Sequence, residues 1–414
     1  MKIVADENIP YVQEAFGTLG DVTTLPGRKI DPASVKEAEI LLVRSITSVD
    51  ASLLEATGVR FVGTATIGTD HVDEEYLRSR RVAFASAPGS NANSVAEYVV
   101  AALLTLAGRW NVQLAGKTIG VIGVGNCGSR VVKKAESLGM KVLLNDPPLQ
   151  RQTGDEKYCP IEELFDADIL TLHVPLTYEG VDATYHLVDE AFLKNLRPGA
   201  LLVNTSRGGV VDGYALKAAL NSRKIGGAVL DVWENEPNID LELLDRVDIG
   251  TPHIAGYSFD GKVNATVMLY EAACAFLQVE RNWEAASVLP APDRPRIEVE
   301  EVTHRKPADG GSVHADGGSP PTVYAAGSDQ DTIARIVRLV YDIERDDAEL
   351  REIERLSEHE RGAFFDRLRK EYTVRREFHN TEVVLPEALW RFASTLSGLG
   401  FRVKKEKVSV QGDK

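Results

Sequence analysis

The sequence predicts an α/β protein built on parallel sheets, and three observations carry that prediction. Short apolar runs of strand length alternate with helical segments over residues 1–92 and again over 109–257, the pattern of strands with helices on their faces. A glycine-rich turn, Gly123-Val-Gly125-Asn126-Cys127-Gly128, joins one such run directly to a helix. Three later strands end in polar loops holding Arg207, Asp231 with Glu236, and His253, and in a parallel sheet such ends share one edge with the glycine turn.

Taken in order, Ile3–Val4, Val22–Leu25, Ile40–Val43, Arg60–Val62 and Val82–Phe84 read as strands. Helices are expected at Tyr11–Leu19, Ala33–Ala38, Ala51–Ala56 and Glu74–Arg80. Three loops after strands carry polar groups: Arg44-Ser45, Thr64–Asp70 and Pro88–Asn91. Ligands of open α/β sheets bind beyond the carboxyl ends of strands, so Arg44 is a candidate anion ligand, with a solvated loop arginine as the equal alternative. Asn93–Gly108 is a long alanine-rich helix of structural character.

The stretch Lys117–Asp146 then forms a strand (Thr118–Ile122), the glycine turn, a helix to Leu138, and a strand (Val142–Leu144) ending at Asp146. Gly123 suits a tight turn, Gly125 lets backbone amides approach a pyrophosphate, and Gly128 lets helix and strand pack closely. The helix N-terminus adds a positive dipole end for phosphates. Asp146, 18 residues past Gly128, is placed to accept hydrogen bonds from a ribose diol and to repel a 2′-phosphate, which favours NAD over NADP. In this context the motif predicts a Rossmann-type, doubly wound dinucleotide-binding domain.

After Asp146, Pro147-Pro148 opens a loop. A short helix at Ile161–Phe165, a buried strand at Asp168–Val174 and a helix at Asp189–Leu196 follow. The strand Ala200–Val203 delivers Asn204-Thr205-Ser206-Arg207. A helix over Asp212–Arg223 leads to the strand Gly227–Leu230 before Asp231–Pro237, and Val247–Gly250 precedes Thr251–Tyr257. Oxidation of a secondary alcohol by hydride loss needs a base for the hydroxyl proton, and histidine suits that near neutral pH. A carboxylate on the other ring nitrogen orients the imidazole, and an arginine fork clamps a substrate carboxylate. His253, Glu236 and Arg207 fit those three parts. With NAD they imply conversion of a 2-hydroxy acid to a 2-oxo acid. His71, His173 and His186 have no comparable partners by position.

Composition narrows the class. With 414 residues there is room for two to three domains. The formal net charge of −15, with no basic stripe, argues against nucleic acid or a membrane surface as the main partner. Three scattered cysteines without metal spacing point to a reducing cytoplasm and no metal centre. Asp6 and Glu7 interrupt any secretory apolar segment at the N-terminus, so a cytoplasmic location is expected.

The segments GVGNCG (123–128), NTSRGGVVD (204–212), DVWENEP (231–237) and TPHIAGY (251–257) resemble the D-isomer-specific 2-hydroxyacid dehydrogenases. That resemblance implies an NAD-binding domain (93–257) inserted in a flavodoxin-like substrate domain (1–92 and 258–285), with Phe259–Arg281 as the returning helix. It implies Arg207 on the substrate carboxylate, Glu236 supporting the histidine, and His253 as acid/base. Further segments, among them MKIVADENIPY (1–11), FVGTATIGTDHVDEEYL (61–77) and SAPGSNANSVAEYV (86–99), are similar to a branch of that family. This branch serves vitamin B6 biosynthesis and oxidises a phosphorylated four-carbon 2-hydroxy acid. It implies Ser45, Thr66 and Tyr257 as substrate contacts. At the cofactor it implies Asp146, Asp231, Thr205, Ser206, Gly256 and Val174, the last standing where a threonine is expected. Two alternatives stand beside it: another D-2-hydroxyacid dehydrogenase, such as a 3-phosphoglycerate dehydrogenase, and an NAD-sensing corepressor-like binding protein on the same scaffold.

The remainder, 286–414, reads as a small α/β domain, by resemblance the one that forms a homodimer. Helices are expected at Asp331–Tyr341, Glu358–Arg369 and Leu389–Leu399, and strands at Phe378–Leu385 and Phe401–Val410. Arg345-Asp346-Asp347 reads as a solvated turn. Residues 302–321, rich in Gly, Pro and Ala, read as a flexible linker with incidental His304 and His314.

Overall fold

The computed structural model describes residues 1–285, 289–301 and 320–406. They fall into two compact units, Met1–Asn93 with Tyr257–Ala291, and Ser94–Gly256 with Pro292–Lys414. The linker expected at 302–321 and its two histidines lie outside the described residues, apart from Pro320 and Pro321.

The first unit is a five-stranded parallel sheet of β1 (Lys2–Asp6), β2 (Asp21–Leu25), β3 (Ile40–Val43), β4 (Phe61–Thr64) and β5 (Ala83–Ala85), in the order β2-β1-β3-β4-β5. Strands β3 and β4 are buried along their whole length, as expected of parallel strands covered on both faces. The returning helix Phe259–Leu277 packs Leu269, Tyr270, Ala273 and Cys274 against the strand residues Ile3, Ala5, Ile40, Leu42 and Phe61. Two expected helices differ. Ala33–Ala38 forms only turns, because Ser34 and Asp31 bond reciprocally (2.8 and 2.9 Å) and β3 begins at once. The first helix is confined to Val12–Phe16.

The second unit begins two residues into the helix Ala92–Trp110. Its six-stranded parallel sheet contains β6 (Thr118–Ile122), β7 (Lys141–Asn145), β8 (Ile169–Leu172), β9 (Leu201–Asn204), β10 (Gly227–Leu230) and β11 (Ile249–Gly250). The order is β11-β10-β9-β8-β6-β7, doubly wound about β6 and β8. A four-stranded parallel sheet follows, β12 (Arg296–Glu301), β13 (Thr322–Ala325), β14 (Glu382–Leu385) and β15 (Arg402–Lys405), in the order β13-β12-β14-β15. One apolar core, from Val121 and Val229 to Ile297, Ile336 and Phe401, runs through both sheets.

Several local readings change here. Pro147–Thr153 is a helix rather than a loop. The Asp146 side chain caps it at Leu149 N–H (3.0 Å), and the prolines occupy its first turn, where no N–H is needed. Strands β12 and β13 are additional to the two strands expected in this part of the chain. Arg345-Asp346-Asp347 is not a solvated turn but part of the helix Ile343–Arg351, with Asp346 and Asp347 buried. Tyr372 donates to Asp346 (2.7 Å), and Asp347 accepts from Gly250 N–H (2.7 Å) and from Arg351 (3.1 Å). Charge therefore gives no guide to exposure at these positions, because each carboxylate has a partner.

The buried cluster of Glu97, Glu377, Lys134 and Arg375 ties the long helix to the C-terminal part. Ser94 donates to Glu377 (2.7 Å), and Glu97 accepts from Phe378 N–H (2.9 Å). Burial, reinforced by Glu377, pushes the Glu97 carboxyl up to about 8 against the pull of Lys134 and Arg375. The folded chain then holds a proton that the unfolded chain releases near pH 4.5, so this group's contribution to stability is lost as pH rises from about 4.5 to about 8. Glu97→Gln is expected to flatten thermal stability over that window and to gain about 1–3 kcal/mol relative to wild type at pH 8. Melting curves across pH test it; an unchanged slope rejects it.

Candidate active site

The strand ends of the second unit's sheet assemble its chemistry. Register pairs Leu230 with Asn204 on one side and with Gly250 on the other, so the loops after β9, β10 and β11 emerge side by side. His253 Nδ1 lies 2.8 Å from Glu236 Oε2. The other Glu236 oxygen accepts from Trp233 N–H (2.8 Å), which fixes the carboxylate from behind. Burial pushes the Glu236 carboxyl up, yet His253, the Trp233 amide and the Arg369 guanidinium outweigh it, and the net shift is downward. Glu236 is thus an anion, the form that orients an imidazole.

The His253 loop is held from beneath by Asp231. Its carboxylate is 1% exposed and accepts from Thr251 Oγ–H (2.7 Å), Ile254 N–H (2.7 Å) and Ala255 N–H (2.9 Å). Tyr98 and Thr251 share a further hydroxyl contact (2.7 Å). His253 itself sits at φ 58°, a left-handed conformation uncommon outside glycine, and its N–H donates to Asp231 O (2.7 Å). Both Asp231 oxygens are engaged in shaping this loop, so a cofactor contact from Asp231 rests on the resemblance.

Arg207 follows a turn drawn tight by Asn204, whose amide donates to Arg207 O (3.0 Å) and whose oxygen accepts from Ser206 N–H (3.0 Å) and Oγ–H (2.8 Å). The neighbouring Gly208 is obligatory. A Cβ there would lie 1.9 Å from Trp233 O, so only glycine lets the Arg207 and Glu236 loops touch. Thr205 Oγ1 is 3.3 Å from His173 Nδ1, and Thr171 Oγ1 is 2.9 Å from His173 Nε2. Burial drives His173 down to about 3, so it is a neutral structural residue.

The glycine turn meets the requirements of a dinucleotide cradle. Gly123 has φ 84°, and a Cβ on Gly128 would lie 2.0 Å from Gly123 O. Around Gly125 there is open space to 4 Å, and Asn126 starts the helix Asn126–Ser137. Val174 borders the turn, its Cγ1 2.8 Å from where a Gly123 Cβ would stand. Burial pushes the Cys127 thiol up to about 11, which leaves it neutral and inert. Asp146, at the end of β7, accepts from Val124 N–H (2.7 Å) and so braces the turn; the sequence reading expects this carboxylate at the ribose of a bound dinucleotide. Asp146→Ala is expected to weaken NAD binding about tenfold or more and to relax discrimination against NADP. Paired titrations with the two cofactors test this, and an unchanged preference removes the ribose assignment.

Two pairings of the site are not visible in the sequence. His186 does have a carboxylate partner, Glu234 Oε1 at 2.8 Å, and the other Glu234 oxygen accepts from Gly213 N–H (2.9 Å). Arg369, in the helix Glu358–Lys370, acts on Glu236 from far along the chain. No local pattern signals either pairing.

In the first unit, Arg44 follows β3 and Thr66 follows β4, with Val43 and Thr64 in register. Thr66 Oγ1 lies 2.7 Å from Thr64 Oγ1 and donates to Gly68 O (2.9 Å), while His71 Nε2 is 2.9 Å from Thr64 Oγ1. Ser45 is exposed and Tyr257 half-buried, the Tyr257 ring 4.7 Å from Lys262 Nζ. Gly256 ends the first of the second unit's two chain segments, directly before that tyrosine.

A dinucleotide cradle on a doubly wound sheet, with an arginine and a histidine–glutamate pair at neighbouring strand ends, defines an NAD-dependent 2-hydroxyacid dehydrogenase. Residues 102–255 match the family described as D-isomer specific 2-hydroxyacid dehydrogenase, NAD binding domain, and residues 321–400 match a domain of unknown function (DUF3410). The chain is 43% identical over 402 residues to an erythronate-4-phosphate dehydrogenase of Escherichia coli O9:H4 (strain HS), covering 97% of this chain and 98% of that one. Among solved structures it is similar to D-lactate dehydrogenase from Aquifex aeolicus complexed with NAD and lactic acid (28% identity, TM-score 0.56, 67% of this chain and 96% of that one). It is also similar to NAD+-bound 3-phosphoglycerate dehydrogenase of Entamoeba histolytica (26% identity, TM-score 0.57, 67% and 95%). The chain belongs to the erythronate-4-phosphate dehydrogenase family of D-isomer-specific 2-hydroxyacid dehydrogenases.

Proposed function

We propose that the chain oxidises 4-phospho-D-erythronate to 2-oxo-3-hydroxy-4-phosphobutanoate with NAD, a step of vitamin B6 biosynthesis. The observation that carries the chemistry is the 2.8 Å contact of His253 with Glu236 beside the Arg207 loop. The substrate follows from near-full-length identity to relatives bearing that activity in their name. Arg207 clamps the substrate carboxylate and polarises the adjacent carbon–oxygen bond. His253 takes the C2 hydroxyl proton on Nε2 while Glu236 holds Nδ1–H. Gly123, Gly125, Gly128, Asn126, Cys127, Val174, Asp146, Thr205, Ser206, Asp231 and Gly256 are the residues assigned to the cofactor. When bound, NAD supplies the hydride acceptor. Ser45, Thr66 and Tyr257 are assigned to the substrate.

A cytoplasmic site of action is part of this reading; among the described residues no helix is long and apolar enough to cross a membrane. The C-terminal part is assigned to homodimer formation. NAD reduction by the purified protein with 4-phosphoerythronate, 3-phosphoglycerate and D-lactate tests the reading. Preference for the first supports it, preference for another acid keeps the chemistry and replaces the substrate, and silence on all three with NAD bound favours a binding protein.

A further inference from the structure

The first unit holds a histidine that the chemistry above does not use. His71 lies in the loop after β4, and its Nε2 is 2.9 Å from the hydroxyl of Thr64, the last residue of that strand. Thr64 Oγ1 is in turn 2.7 Å from Thr66 Oγ1, and the Thr66 hydroxyl donates to Gly68 O (2.9 Å). Thr64 is wholly buried, and His71 and Thr66 are half-buried. The backbone around them is pinned. Ala65 N–H donates to Val43 O (2.9 Å), Ala87 N–H to Thr66 O (3.0 Å), Val72 N–H to Thr69 O (2.8 Å) and Val49 N–H to His71 O (2.8 Å).

These contacts fix the direction of every bond in the row. A hydroxyl has one proton to donate and two lone pairs with which to accept. Thr66 gives its proton to Gly68 O, a carbonyl that can only accept, so Thr64 donates to Thr66. Thr64 then has no proton left for the imidazole, so His71 Nε2 carries the proton and donates to Thr64. Burial pushes the His71 imidazole down, against the pull of Asp70, which favours a neutral ring with a single N–H. That N–H is the one on Nε2. At the other end of the row, Thr66 Oγ1 keeps one lone pair and has no proton to offer.

We propose that His71 is a positioning residue for substrate recognition: acting through Thr64, it holds the Thr66 hydroxyl as a hydrogen-bond acceptor toward the substrate's C3 hydroxyl. The inference rests on the reading above that Thr66 touches 4-phospho-D-erythronate. An oxygen that can only accept pairs with a donor and disfavours the oxygens of a carboxylate or phosphate, which are themselves acceptors near neutral pH. Of the two substrate hydroxyls, the one at C2 gives its proton to His253. The C3 hydroxyl is therefore the donor that Thr66 selects. His71 touches no reacting atom, and its effect reaches the substrate through two threonine hydroxyls. The sequence shows His71 in a polar loop; its bond to Thr64, seven residues earlier, is made by the fold.

The test compares wild type with His71→Leu and His71→Gln, since glutamine keeps an N–H donor and leucine has none. Each is assayed with 4-phospho-D-erythronate and with its 3-deoxy analogue, the D isomer of 2-hydroxy-4-phosphobutanoate. Wild type is expected to favour the hydroxylated acid about tenfold in kcat/KM, chiefly through KM, as one hydrogen bond allows. His71→Leu should shrink that ratio to about twofold or less, and His71→Gln should restore most of it. A ratio unchanged in His71→Leu, however far both rates fall, leaves His71 a structural residue and overturns the proposal. A wild type indifferent to the C3 hydroxyl overturns it too. If wild type turns over D-lactate in place of 4-phospho-D-erythronate, the substrate reading fails, and D-glycerate against D-lactate supplies the same C3 comparison. Imidazole ¹⁵N shifts of His71, assigned by their loss in His71→Gln, locate the proton without any substrate. A proton on Nε2 supports the row of bonds, and one on Nδ1 overturns it.

Discussion

Replacing His253 by alanine is expected to lower kcat by about 10²–10⁴-fold while NAD binds with little change in Kd. The expectation follows from what the side chain touches. Its Nδ1 is held by Glu236 at 2.8 Å, and about a third of its side-chain surface stays exposed. Truncation therefore removes the proton acceptor without opening a cavity in the fold. Glu236→Gln keeps the size of its partner and removes the charge, and a loss of intermediate size is expected. Single-turnover hydride transfer followed at 340 nm, beside a fluorescence titration with NAD, separates the two effects. Turnover retained in His253→Ala removes it as the base. Loss of NAD binding in the same variant moves its role to the cofactor.

Much of this site is legible in the sequence because parallel sheets convert order along the chain into position in space. Once β9, β10 and β11 are recognised, their following residues must share an edge, and Arg207, Glu236 and His253 come together without any contact being known. The glycine turn is legible for the same reason, since its requirements are local: φ 84° at Gly123 and no room for a Cβ at Gly128.

What stays hidden depends on partners far apart in sequence. The acidic run at Arg345–Asp347 reads as solvated because its partners, Gly250 N–H and Tyr372 Oη–H, are 97 residues before and 26 after. Once folded, that helix does a specific job. Arg351 donates to Leu244 O (3.0 Å) and Val247 O (3.0 Å), so the C-terminal part grips the approach to β11, three residues before His253. Arg369 contributes to the charge state of Glu236 from farther still along the chain. The C-terminal part thus helps to set the geometry of the His253 loop, and no periodicity or motif announces it.

The second large effect is expected at Asp231. Its carboxylate is 1% exposed and is the acceptor for a hydroxyl and two consecutive amides of the His253 loop. Asp231→Ala leaves those donors buried without a partner. At about 1–3 kcal/mol for each, with part recovered by relaxation, the loss is on the order of 4 kcal/mol. Asp231→Asn keeps one acceptor oxygen but turns an amide N–H₂ either toward Ala255 N–H or toward Ile254 N–H and the Thr251 hydroxyl, and should fall between Asp231→Ala and wild type. Because His253 sits at φ 58°, a conformation kept only where the surroundings enforce it, releasing the loop should also lower kcat. The decisive measurement is urea unfolding of the protein without NAD. If Asp231→Ala unfolds with the wild-type midpoint yet loses NAD affinity, the carboxylate serves the cofactor directly. If the midpoint falls and NAD affinity falls only in proportion, its work is to hold the histidine in place.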